Sequence, residues 1–81
     1  MTGKIDKIHA DKGFGWINGE DSERYFFHKS DFNGHWTDLV VDSKLSKSIP
    51  VQFQSGRTTK GPRASMVSRL DFPNQSVTEN G

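Results

Sequence analysis

Three histidines, His9, His28 and His35, and three aromatics, Phe14, Trp16 and Phe26, are the side chains whose types and spacing could do chemistry in this sequence. The histidines invite a catalytic reading first, because Asp11, Asp31 and Asp38 lie near them. A hydrolytic triad also needs a nucleophile, and no serine sits in an elbow-like setting. There is no cysteine, which removes a thiolate nucleophile, a thiolate zinc site and a disulfide framework together and fits a reducing compartment. The histidines lack metal-ligand spacing, and Gly13 and Gly15 do not precede a helix, so no phosphate-cradling loop is formed. Neither catalysis nor a metal or cofactor is expected.

The aromatics suggest a different chemistry, the stacking of flat ligands on a π-face. Strand alternation puts Phe14 and Trp16 on one face and Gly15 and Ile17 on the other, while Phe26 and His28 oppose Tyr25 and Phe27. One face of each strand must look inward. Ile5, Ile17, Tyr25, Phe27, Phe32, Val51, Phe53, Ala64, Val67 and Leu70 are assigned to the core, which leaves Phe14, Trp16 and Phe26 outside. A contiguous exposed apolar patch is rare on a monomer without a use, yet aromatics are usually buried. The residues alone therefore leave two readings open: a stacking platform, or a face covered by the 33–48 connection. His28 shares the face of Phe26, whereas His9, His35 and Lys4 read as solvent-exposed.

The elements that must position these groups are short. A chain of 81 residues makes one small domain, and such a domain buries only about 60% of the surface its unfolded chain exposes. Residues 4–9, 14–18, 24–28, 50–55 and 63–70 read as strands, separated by Gly, Pro, Asp and Ser clusters. Ser55-Gly56 and Lys60-Gly61-Pro62 read as bracketing a flexible loop. No full helix is expected: Asp38 to Lys47 lacks a clean 3.6-residue stripe and reads as a loop with one helical turn. The domain is set at 1–72 and a frayed polar tail at 73–81. No apolar run is long enough for a signal peptide or a membrane span, which points to a cytoplasmic protein.

Net charge is only +1, so overall basicity announces no partner. The distribution is more informative: residues 1–42 carry five basic and eight acidic side chains, and 43–70 carry six basic and none acidic. This cationic block, with Lys60 and Arg63 among its members, reads equally as a solvated face or as an edge that tracks phosphates.

Lys12-Gly13-Phe14-Gly15-Trp16-Ile17 resembles the first ribonucleoprotein motif, in which alternate aromatics emerge on one sheet face and the small glycine lies beneath them. It is followed by Tyr25-Phe26-Phe27-His28, which is similar to the second motif of cold-shock domains. The order separates two families, because RNA-recognition-motif domains place the second motif first and need two helices. Gly61-Pro62-Arg63-Ala64, with Val67 and Leu70, resembles the last cold-shock strand, and Gly3 to Asp11 the first. The likeness spans about residues 3–72.

The resemblance implies an all-β fold, a five-stranded antiparallel barrel of the oligonucleotide-binding type, with strands one to three presenting the binding face. It implies single-stranded RNA or DNA as partner, and Lys12, Phe14, Trp16, Phe26 and His28 as contact residues, with Lys60 to Arg63 bordering the groove. Stacking is worth roughly 1 to 3 kcal/mol per base, so little net charge is needed. The sequence departs from the family at Asp6, Lys7 and Ile8, where a lysine, a tryptophan and another aromatic are usual, and at Lys29, where a phenylalanine is common. Lys7 and Lys29 are expected to replace some stacking with phosphate contacts, and Asp6 to repel the strand if it faces the groove. Binding weaker and more salt-sensitive than is usual follows. The connection between Phe32 and Val51 is also longer than is usual in bacterial members, and Trp36 within it reads as a plug over a barrel end rather than a substitute stacking ring. The competing function is a protein-interaction barrel that has lost most nucleic-acid binding, with Phe14, Trp16 and Phe26 as its interface core; in either case the chain is expected to be a monomer.

Overall fold

The computed structural model describes residues 1–45 and 48–70; the expected tail at 73–81 and the end of the helix candidate at Lys47 lie outside them. The elements run β1 (Thr2–His9), β2 (Phe14–Gly19), β3 (Arg24–His28), a 3-10 turn (Lys29–Asp31), α1 (Trp36–Leu45), β4 (Ile49–Thr58) and β5 (Gly61–Arg69). The strands close into a barrel in the order β1-β2-β3-β5-β4. The all-β barrel expected from the sequence is present, with one refinement: its neighbours pair antiparallel except at the closing seam, where β3 meets β5 in parallel through Phe26 and Arg63.

Alternation builds the interior. Ile5 pairs with Ile17 and Ile17 with Tyr25, and these join Phe27, Phe32, Val51, Phe53, Ala64 and Val67 in one buried cluster. Gly15 lies beneath Phe27, where an added Cβ would stand 2.8 Å from Phe27 Cε1, Ile8 Cδ1 and the Lys7 carbonyl. Only glycine fits there. The Tyr25 ring is buried, and its hydroxyl reaches the surface to donate to Asp21 Oδ2 at 2.6 Å.

Leu70, assigned to the core, is instead 50% exposed. β5 carries a bulge between its pairings with Gln52 and Gln54, and Met66 within it adopts a φ of 50°. The bulge shifts the alternation so that Val67 and Arg69 share the inner side and Leu70 turns out. Arg69 is accordingly only 8% exposed at its side chain, where it pairs with Asp42 at 2.6 Å.

Two expectations about connections are corrected. The segment read as a loop with one turn is a ten-residue helix, α1. Leu39 is its one fully buried residue and Trp36 is half-buried, so a short helix lying over a barrel end needs no continuous stripe. Asp38 in its first turn and Lys44 in its last suit the helix dipole. The stretch between Ser55 and Pro62, read as a flexible loop, is paired throughout as far as Thr58 and Gly61. Gly61, at φ 120°, closes this hairpin, and Thr58 Oγ1 accepts from the Lys60 N–H at 3.1 Å.

Candidate nucleic-acid interface

The outer face of β2 and β3 is organised by register. Phe14 stands opposite His28 and Trp16 opposite Phe26, and directly paired residues point to the same side of a sheet. The rings form a continuous, half-buried surface: Phe14 and Phe26 are 5.3 Å apart, and Trp16 meets Phe26 edge-on at 5.5 Å. The described residues of the 33–48 connection do not cover this face. Leu39 enters the core, and Trp36 packs edge-on against the inward Phe27 at 6.0 Å, so Trp36 is the plug rather than a substitute ring.

A bulge in β1 sets what flanks the rings. The register skips Asp6, so Ile5 pairs with Ile17 but Lys7 pairs with Trp16 and His9 with Phe14. Asp6 and Lys7 are therefore both exposed, and the His9 ring lies 4.6 Å from Phe14. His9, read from sequence as a solvent-exposed residue, is half-buried on the aromatic face. Asp6 is not an isolated negative charge, because its Oδ2 stands 3.0 Å from Arg24 Nη2. Arg24 in turn lies with Cζ 4.8 Å from the centre of the Trp16 ring.

His28 caps the 3-10 turn. Its Nδ1 accepts from the Ser30 N–H at 3.2 Å, and its own N–H donates to Asp31 Oδ2 at 3.0 Å. A backbone N–H can only donate, so Nδ1 carries no proton and the neutral ring keeps its proton on Nε2. The same Asp31 Oδ2 takes hydrogen bonds from Arg63 Nε at 3.3 Å and Nη2 at 2.9 Å.

The remaining cations border the rings from two sides. Lys12 is exposed in the turn before Phe14, and Lys29 is exposed just after His28, its N–H donating to the Gly13 carbonyl at 2.8 Å. On the other side, Trp16, Phe26, Thr58, Lys60, Pro62 and Arg63 line a cleft of about 310 Å³. The structure thus brings Phe14, Trp16, Phe26, His28 and Lys7 onto one face, with Lys12 and Lys29 at its Phe14 end and Lys60 and Arg63 across the cleft.

Sequence reasoning overlooked His9, Arg24 and Asp31. The alternation of β3 could have found Arg24, which is two residues before Phe26. Placing His9 required the bulge at Asp6, which no residue type announces.

The sequence profile of the 'Cold-shock' DNA-binding domain matches residues 1–70. A cold shock-like protein of Aquifex aeolicus (strain VF5) is 33% identical over 72 residues, covering 86% of this chain and 94% of that relative. Barrel order, motif order and a match across the described strands agree: the chain belongs to the cold-shock domain family, a family of nucleic-acid-binding domains.

Proposed function

We propose that this domain binds single-stranded RNA or DNA by stacking unpaired bases on Phe14, Trp16 and Phe26. The observation that carries the reading is the continuous, half-exposed surface of these rings on one sheet face. Only an unpaired base exposes its face to a ring, so single strands are favoured over duplexes. His28 supplies an Nε2–H donor beside Phe14, and His9 extends the flat surface on the opposite flank. Lys7, Lys12, Lys29 and Lys60 run beside phosphates, as does Arg63 where its pairing with Asp31 allows. The domain acts as a cytoplasmic monomer, a binding module rather than an enzyme, in the role of an RNA chaperone or a regulator of transcription or translation.

Trp16 reports on the site directly. Titration with a pyrimidine-rich single strand should quench tryptophan fluorescence, and the logarithm of affinity should fall against the logarithm of salt with a slope of about −1 to −3, given roughly −0.7 per phosphate neutralised. Absence of quenching and of any binding would leave the protein-interaction barrel as the better account of the exposed rings.

A further inference from the structure

We propose that Arg63 is a base-reading residue that selects guanine in the cleft beside Phe26, and that Asp31 is the positioning residue that aims it. The proposal rests on the single-strand reading above and adds a base preference to it. Phe26 and Arg63 are backbone partners across the barrel seam, so their separation is set by the sheet and not by a flexible loop. The Arg63 guanidinium is fixed along one edge: Nε and Nη2 both donate to Asp31 Oδ2, at 3.3 and 2.9 Å. That oxygen is itself held by the His28 N–H at 3.0 Å, and the Asp31 side chain is only 15% exposed.

A guanidinium carries five N–H donors in a rigid fork. With the Nε–Nη2 edge committed to Asp31, the terminal Nη1–Nη2 edge remains for a ligand, and no described residue occupies Nη1. The side chain is 41% exposed, and its Cζ stands 5.9 Å from the Phe26 ring centre, near the outer limit of a cation–π contact. It therefore borders the Phe26 ring, whereas Arg24, at 4.8 Å, sits closer to the Trp16 ring. Its charge is already balanced by Asp31, which makes it a poorer phosphate contact than the exposed lysines and leaves it a directional donor.

The cleft fits one base. Its volume of about 310 Å³ lies at the lower end of the roughly 300 to 1,000 Å³ typical of small-molecule sites. Trp16, Phe26 and Pro62 give it flat apolar walls, and the side-chain groups left to hydrogen-bond are donors, Arg63 and Lys60. Thr58 Oγ1 is engaged within the hairpin, donating to the Gly61 carbonyl and accepting from the Lys60 N–H. Such a lining asks for an edge with adjacent acceptors. Guanine offers O6 and N7 side by side, whereas adenine sets an amino donor beside N7 and thymine a methyl group beside O4. Cytosine also has adjacent acceptors, O2 and N3, but its single ring is less able to span Trp16 and Phe26, whose centres are 5.5 Å apart.

The test compares a thymine-only single strand with strands in which one central base is guanine, adenine or cytosine, using Trp16 fluorescence. Wild type should bind the guanine strand about five- to 50-fold more tightly than the thymine strand. Arg63→Gln and Arg63→Lys should both bring that ratio close to one, the second without removing charge, and Asp31→Asn should lower it in part. Equal affinity for all strands, a cytosine preference, or a guanine preference that survives Arg63→Lys would overturn the assignment while leaving single-strand binding in place. If no strand binds at all, the single-strand reading fails and the guanine assignment fails with it.

Discussion

Arg24 lies with its guanidinium carbon 4.8 Å from the centre of the Trp16 ring, and Asp6 holds it there through a 3.0 Å ion pair. Both side chains are about half-exposed, at 50% and 41%, and exposed pairs of this kind are worth only about 0 to 1 kcal/mol. An arriving strand offers both a phosphate to replace the carboxylate and a base to replace the guanidinium. Asp6→Asn is expected to tighten single-strand binding about two- to five-fold at low salt and to steepen the salt slope by about 0.7 as Arg24 takes up a phosphate. Titrations across a salt series would measure both. In an Arg24→Gln background the Asp6 substitution should lose most of its effect; an equal effect in both backgrounds would reduce Asp6 to general repulsion.

Stacking and phosphate contact should separate under mutation. Phe14→Ala and Phe26→Ala are each expected to lose about 1 to 3 kcal/mol of binding with the salt slope unchanged. Lys60→Ala should instead make the slope shallower by about 0.7. The double replacement of Phe14 and Phe26 should abolish measurable binding while its circular dichroism stays that of the folded barrel. Normal binding by that variant would sink the stacking reading.

Stability should follow the two faces of the sheet. Ile17 and Leu39 are fully buried, so Ile17→Ala and Leu39→Ala should each cost about 2 to 5 kcal/mol. The half-buried Phe14 should cost no more than about 1.5 kcal/mol, the scale of an aromatic pair. Gly15→Ala should behave like a core defect, because its Cβ would press on Phe27 and on the Lys7 carbonyl. Chemical denaturation of the four variants gives the ranking, and a Leu39→Ala variant as stable as wild type would show that α1 is not part of the core.

The Tyr25 and Asp21 pair predicts behaviour at both ends of the pH scale. The tyrosine hydroxyl donates to Asp21, which lowers the aspartate pKa and raises that of the phenol. The aspartate's contribution to stability is complete above the ordinary carboxylate value, about 3.9, and is lost as pH falls through the lowered folded value. The tyrosine's is complete below about 10 and is lost as pH rises through its raised folded value. Thermal midpoints measured against pH should fall at both extremes. In Tyr25→Phe the tyrosine's alkaline loss should vanish and the Asp21 titration, followed by NMR, should move up.

The inward half of the strands was legible in the sequence because alternation is a local property. Ile17, Tyr25 and Phe27 are buried, and Phe14, Trp16, Phe26 and His28 share the outer face. Much of what escaped depends on a bulge or on packing between distant segments. Leu70 was misplaced because the bulge at Met66 shifts the phase of β5 by one residue. His9 acquires its place on the aromatic face only once Asp6 is passed over in the β1–β2 register, whereas Arg24 lies there by the alternation of β3 and went unread. Ile49 and Leu39 are buried, yet one stands directly before a proline and the other is the only fully buried residue of a helix with two adjacent valines. Ile49 continues the inward alternation of Val51 and Phe53 and was left out because the strand was begun at the proline after it, whereas Leu39 has no periodic neighbour to announce it.

The parallel junction of β3 and β5 at Phe26 and Arg63 is where the barrel is closed with the fewest backbone pairings. A cylinder parts first along its least-stitched line, and here that line runs under the proposed ligand cleft. Amides flanking the junction should therefore exchange with solvent earlier than those of the β1–β2 and β4–β5 ladders. A strand lying across Phe26 and Arg63 would act as a suture, slowing that exchange and raising the apparent stability of the whole barrel as its concentration rises.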